Sequence, residues 1–298
     1  MFRSKENHLY SSEIAHYLGL DIAGKNVPVN FPCHFKTMKE NGFTFIPPTE
    51  VEEVKKLKNV LLFCPEDYDI SINSDVAFIP CANPKIAFYR IVNEFFIEQL
   101  PHSIANSAKI AETAQIGINV NVGEHAVIIG DVTVGNNTFI GNNVTILGKT
   151  TIGSGCVIKD NAVIGSEGFS FLEVENELMH VPQIGSIKIG NDVWIGSGSS
   201  IERPSLGITV LENGAKIDDL AQVGHEVRIG ANTQVAAGTV FSGRVTVGKD
   251  CFIGVNVSVR PDVSIGDNVL VGIGSVVTKD LPGDAVYAGV PARPFSKK

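Results

Sequence analysis

The sequence predicts a mainly β protein: a left-handed parallel β-helix of six-residue repeats, preceded by an N-terminal α/β domain. Three observations carry that expectation. From residue 104 an aliphatic side chain returns at every sixth position, through Ile110, Ile116 and Val122 to Ile152, Ile158 and Ile164. The spacing resumes at Ile189, Ile195 and Ile201, breaks once more, and runs from Leu211 and Ile217 to Val271 and Val277. A period of six matches neither the helical 3.6 nor the simple strand period of 2. It fits a short strand plus a corner, three of which close a triangular coil with the aliphatic residue pointing inward. The second observation is that Gly, Asn and Asp crowd the intervening positions, as in GNNTFIGNNV, where corners need left-handed backbone angles. The third is glycine abundance, 30 of 298 residues, with aromatics concentrated in the N-terminal third.

The elements follow in chain order. Residues 1–101 form an α/β domain with a helix near Ser12–Leu20, strands at 59–64 and 75–80, and a helix after Asn83-Pro84. Residues 102–277 form the β-helix, and 278–298 close its far end, because stacked coils expose backbone at both ends. Four residues after each aliphatic position a small side chain also points inward, as at Thr138, Val144, Cys156 and Cys251. Two stretches leave the repeat. Ser166–Ser186 is too long and polar for a coil, and Glu202–Val210 is a shorter bulge; such loops leave solenoids to build sites.

Bulk properties exclude several classes. A formal net charge of −8 does not suit a general nucleic-acid binder, which needs clustered Lys and Arg. The five cysteines are odd in number and show no paired spacing, which supports neither a disulfide framework nor a zinc site. With no apolar leader segment and no membrane-length run, the expected location is the cytoplasm.

Seven histidines are the first candidates for chemistry, and His225 stands out. It follows inward Val223 by two positions, where a corner projects a side chain outward. Asp218 lies seven residues upstream, and a carboxylate holding one imidazole nitrogen leaves the other free as a general base. On spacing alone an ordinary surface histidine is the favoured reading. Metal binding is not expected: His125, His180 and His225 are far apart in sequence, and HEVRI lacks the second His of HExxH. GIGSVV and GSGSS fall in hexad register and read as corner glycines rather than phosphate loops.

The hexads together with IDDLAQVGHEVRIG resemble the UDP-3-O-acylglucosamine N-acyltransferases of lipid A synthesis. YSSEIAHYLGLDIAG, GFTFIPPTE and NPKIAFYRIVNEFF resemble that family's uridine-binding domain. GSEGFSF, HVPQIGSIKIG and SIERP resemble its middle loop and following coil. The resemblance implies His225 as catalytic base, Asp218 as its orienting carboxylate and Gly243 as an oxyanion-hole donor. It implies Phe45 against the nucleotide base, and Phe169, His180, Gln183 and Arg203 near the sugar. It also implies a homotrimer with sites between subunits, and no metal.

The departures refine the expectation. Pro48 stands where the family has Asn, Val51 where it has Tyr, and Asp262 where it has a second His. Glu202-Arg203-Pro204 replaces Asp-Arg-Gly. The closing segment SVVTKDLPGDAVYAGVPARPFSKK resembles that of acetyl-CoA-dependent sugar and serine acetyltransferases. The first expectation is therefore N-acylation of a nucleotide-linked amino sugar for a surface glycan, with acyl-CoA as donor and acyl carrier protein second. The alternative is the lipid A N-acyltransferase itself, with a long hydroxyacyl carrier protein. A third reading is a non-catalytic sugar-nucleotide-binding scaffold.

Overall fold

The computed structural model describes residues 2–5, 7–46, 51–99 and 102–295. They fall into two compact units, Met1–Pro101 and His102–Lys298.

The first unit is a five-stranded sheet in the spatial order Ala23–Gly24, Ala77–Pro80, Leu61–Cys64, Gly42–Phe45 and Phe31–Pro32. All its pairings are parallel except that of the edge strand Ala23–Gly24. The strand Leu61–Cys64 is fully buried, which is why it reads as an unbroken apolar run rather than an alternation. Two helices pack with this sheet. Ser11–Leu18 is shorter by two residues at its C-terminal end than expected, because Gly19 adopts a left-handed cap. Pro84–Phe95 starts where Asn83 accepts a hydrogen bond from the Ile86 N–H, with Pro84 at the first helical position.

The second unit is a left-handed parallel β-helix. Among the described residues its strands form three faces. The first, of nine strands, runs from Lys109–Ile110 to Val276–Val277. The second, of eight, runs from Gln115–Ile116 to Ser264–Ile265. The third has ten, from Asn121–Val122 to Arg293–Pro294. Each repeat aliphatic lies over its equivalent in the next coil: Ile128 over Ile146 and then Ile164, Ile217 over Val235 and then Ile253. These side chains form one continuous core, with Thr138, Val144, Cys156 and Cys251 filling the corners as expected. Ile104 departs from the pattern and is 51% exposed, since the first coil has a stacked neighbour on one side only.

The corners show why the intervening residues are Asn, Asp and Gly. Asn137, Asn143, Asn161, Asn232, Asp250, Asn256, Asp262 and Asn268 all have positive φ, near +55 to +63°. Both interruptions leave the ladder intact. After Ile164 the chain leaves as an antiparallel hairpin, Phe171–Val174 against Glu177–His180, and returns so that Ile152 pairs with Ile189. Residues 204–207 form the second, smaller loop, after which Leu211 lies over Ile189. The closing segment adds Val286–Ala288 and Arg293–Pro294 to the third face, with buried Tyr287 donating from its hydroxyl to the Pro282 carbonyl.

All five cysteines are free. Burial pushes the Cys64 thiol up to about 12, with Cys81 nearby adding to it. Burial also raises Cys156 and Cys251, whose thiols donate to the Gly190 and Gly266 carbonyls. They are packing residues.

Because a stacked core cannot collapse sideways around a void, Ile253→Ala is expected to cost about 2–5 kcal/mol. A denaturant titration checks this, and a loss below about 1 kcal/mol would show that the coil relaxes into the cavity.

Candidate functional site

Each corner of the β-helix has one outward amide that the coil itself leaves unpaired. In several corners the next coil supplies its partner, an Asn or Asp side chain at the equivalent position. Asn136 accepts from the Ile118 N–H, Asn142 from Glu124, Asp160 from Asn142 and Asn191 from Ser154. Asn213, Asp219 and Asp267 do the same for Asn191, Ser197 and Lys249. Other corners have no such cap, among them Asn213, Asp219, Ala231 and Ala237, and neither does the column between the first and second faces. There His225, Gly243 and Pro261 lie over one another, the chain being locked by Arg244 N–H to the His225 carbonyl and Asp262 N–H to the Gly243 carbonyl. Gly243 has no side chain to cap the His225 amide, and Pro261 offers no acceptor to the Gly243 amide. Among the described residues neither amide has a partner.

The His225 imidazole lies directly over Gly243. A Cβ built on Gly243 would stand 2.3 Å from Cε1 and 2.4 Å from Nε2, so only glycine leaves room for the ring. The Nδ1 nitrogen is 3.2 Å from Oε2 of Glu226. That carboxylate holds a proton on Nδ1 and leaves the Nε2 lone pair available. Glu226 and Arg244, which flank this column, both have positive φ, at 61° and 63°. Outside Gly, Asn and Asp, only His125 and Leu220 share that conformation among the described coil corners. The left-handed region costs such residues about 1–2 kcal/mol each. Strain tolerated at two successive corners, on either side of one histidine, marks the place as specialised.

The two loops complete the surroundings. Gly168, where the hairpin leaves the coil, sits against the histidine: a Cβ there would be 3.1 Å from both Cβ and Cδ2 of His225 and 3.3 Å from Oε2 of Glu202. Glu202 is 9% exposed, and its Oε1 accepts from the Gln222 side-chain amide at 2.7 Å. Buried Thr209, from the strand after the second loop, donates its hydroxyl to the Glu202 carbonyl and accepts from the Glu226 N–H. One threonine thus ties the backbone of both carboxylates together. Arg244 forms a two-point pair with Asp262, which holds the Asp262 carboxyl below the usual range, with Arg260 and His225 adding to the effect.

The structure brings some expected residues together and separates others. Gly243 is on His225. Within one chain Asp218 is not: it lies on a different corner, between the third and first faces, in a groove with Trp194, Gln234 and Phe252. Seven residues carry the chain along a whole side of the triangle, and only a full coil restores overlap. Glu226 therefore takes the place beside Nδ1 that Asp218 was expected to fill. His180 lies on the hairpin, with Nε2 3.3 Å from Oε2 of Glu167 and its ring against Phe171. Arg203 reaches the same Glu167 at 3.7 Å, its guanidinium lying over Gly148 and its Nε buried without a partner. Phe169 is 86% exposed. Gln183 is the opposite, 2% exposed, donating to the Val181 carbonyl with its Oε1 unpartnered, so within one chain it does not face solvent.

Phe45 belongs to the first unit, where it lines a cavity of about 390 Å³ with Cys33, His34, Phe35, Phe88 and Tyr89. Pro48 lies outside the described residues. Among the described residues no group of three His, Cys, Asp or Glu side chains is arranged to hold a metal ion, and no helix is long and apolar enough to cross a membrane. Sequence reasoning missed Glu226, Glu202, Thr209 and Gly168. Counting one coil from His225 finds Gly243, but the loops displace Glu202 and Gly168 from that count.

The second unit is a β-helix of six-residue repeats, the class that its fold and ladder define. The family model described as bacterial transferase hexapeptide (six repeats) matches residues 113–148, 131–166 and 244–279. The particular proteins it resembles are UDP-3-O-acylglucosamine N-acyltransferases. That of Janthinobacterium sp. (strain Marseille) is 38% identical over 128 residues, 43% of this chain and 37% of the relative. That of Hahella chejuensis is 39% identical over 127 residues, 43% of this chain and 36% of the relative. The matched part thus spans little more than a third of these relatives' length. Among solved structures, a UDP-N-acetylglucosamine acyltransferase from Campylobacter jejuni aligns with TM-score 0.59 and 23% identity, over 65% of this chain and 74% of that one. A UDP-N-acetylglucosamine acyltransferase from Bacteroides fragilis aligns with TM-score 0.59 and 26% identity over the same shares.

Two outcomes are expected from this geometry. Gly243→Ala displaces the His225 ring while the coil stays folded, read as a shift of the His225 imidazole resonances with little change in melting temperature. The Asp262 carboxyl, depressed in the folded protein, contributes stability above the ordinary Asp pKa of about 3.9, and that contribution is lost as pH falls through the depressed value. Asp262→Asn should therefore melt below the wild type at pH 6, with the gap closing toward pH 2.

Proposed function

We propose that the chain is an acyltransferase that moves an acyl group from a thioester to the amine of a nucleotide-linked amino sugar, with His225 as general base. The observation that carries this reading is the corner column: an imidazole with Nδ1 held by Glu226 and two uncapped amides beside it. A base next to unpaired N–H donors is what attack on a carbonyl needs, since the donors receive the charge that develops on its oxygen. A surface histidine with no role would not require glycine beneath the ring.

The reaction balances as follows. The acceptor enters as an ammonium and releases one proton to solvent. The neutral amine attacks the thioester carbonyl, the N–C bond forms, and Nε2 of His225 removes the second proton. The oxyanion is met by the Gly243 N–H. As the C–S bond breaks, the imidazolium returns its proton to sulfur, leaving an amide and a free thiol.

The names of the relatives favour the lipid A reading, an acylated UDP-glucosamine as acceptor, over a different surface-glycan amino sugar. In that reading the cavity at Phe45 takes the nucleotide base, and the exposed hairpin with Phe169 and His180 lies beside the sugar in a homotrimer. The donor belonging to it is a hydroxyacyl carrier protein, with acyl-CoA as the other thioester to compare.

The test crosses UDP-3-O-acylglucosamine and UDP-linked amino sugars without the 3-O-acyl group with hydroxyacyl carrier protein and acyl-CoA, reading the product by mass. His225→Ala is expected to lower turnover by about a hundredfold or more, the usual worth of a general base. Glu226→Gln should cost less, since it misplaces the proton without removing the base. Amide product undiminished in His225→Ala would reject the assignment.

A further inference from the structure

Glu202 is hard to explain as a structural residue. Its side chain is removed from solvent almost completely, yet none of the described cations pairs with it. Its one side-chain partner is the neutral amide of Gln222, on Oε1. A glutamine could accept that bond equally well, without the cost of burying a carboxylate away from any counter-charge. The second oxygen, Oε2, has no hydrogen-bond partner among the described residues. It faces the space above Gly168, and the same point in that space is within 3.3 Å of Glu202 and of the His225 ring. Gly168 is what keeps the space open: any larger residue would put a methyl group between carboxylate and imidazole. Thr209 fixes the backbone of Glu202 to that of Glu226, so the distance between the free oxygen and the histidine is built into the fold.

An unpaired carboxylate oxygen that opens beside a general base calls for a cation. We propose that Glu202 receives the charged nitrogen of the acceptor and makes the site select an amine over a hydroxyl. The assignment rests on the acyltransferase reading above and names the acceptor-positioning residue within it. Oε2 accepts an N–H from the ammonium and, after one proton has left, from the neutral amine. It thereby turns the nitrogen lone pair toward the thioester while another N–H faces Nε2 of His225. A hydroxyl acceptor carries no charge and a single proton, which cannot serve Glu202 and His225 at once.

Binding of UDP-3-O-acylglucosamine and UDP-3-O-acylglucose, which differ only in an amine or hydroxyl at one carbon, is measured by titration calorimetry on the whole protein. The same samples are assayed for amide product, and their folding is followed by circular dichroism. The wild type should prefer the amine by about tenfold or more, the size of a charge-assisted hydrogen bond. Glu202→Gln should abolish that preference while leaving affinity for the hydroxyl analogue and the KM for the thioester unchanged. Glu202→Asp, which keeps the charge one methylene further back, should retain part of the preference and serves if the Gln variant does not fold. An amine preference intact in either variant, or equal loss of both analogues, overturns the assignment. Wild type that makes amide but shows no amine preference overturns it alone. Wild type that binds neither analogue and makes no amide removes the acyltransferase reading and Glu202's role together.

Discussion

Everything in the second unit depends on one constraint: each residue of a coil lies over its equivalent one coil away. The aliphatic ladder enforces it from inside, since a shift of a single residue would turn Ile146 or Ile217 outward and carry a polar neighbour into the core. The same register distributes polar duties outside. An Asn at one corner exists because the amide of the preceding coil needs an acceptor. At His225, Gly243 and Pro261 no such exchange occurs, and there the free amides lie beside an imidazole.

This division explains what the sequence revealed. The ladder is a local repetition, so the faces, the corners and even the two interruptions could be read from spacing. His225 and Gly243 entered through the family resemblance, and their overlap follows from their being equivalent positions of successive coils. Asp218 does not meet His225 within one chain, because seven residues span a side of the triangle. Glu226 went unnoticed as an immediate neighbour of His225, since adjacent side chains diverge on a strand. At a left-handed corner they converge. Glu202 and Gly168 lie at the two loops, which interrupt the count that would have aligned them with the histidine. The burial of Gln183 and the exposure of Phe169 likewise depend on how the hairpin folds back, for which the repeat carries no information.

The electrostatics around the histidine follow one pattern. Three carboxylates, Glu167, Glu202 and Glu226, lie around the corner column, and two of them have basic partners among the described residues: His180 with Arg203 for the first, His225 for the third. Arg244 is neutralised by Asp262 and so does not offset the remaining negative charge. The proposed reaction draws on this arrangement, with acceptors toward the nitrogen and unpaired amides toward the oxygen.

The hairpin and the small loop both depart from the coil and rejoin it in register, so Ile152, Ile189 and Leu211 stack as though nothing had been inserted. The scaffold therefore does not sense how many residues an insertion contains, provided its two ends return to neighbouring strands. Length and content of the arm can drift, be traded between relatives or be redesigned without renegotiating the core, while the histidine column stays fixed. In such a molecule the register belongs to the coil alone, and the insertions are free to change at their own rate.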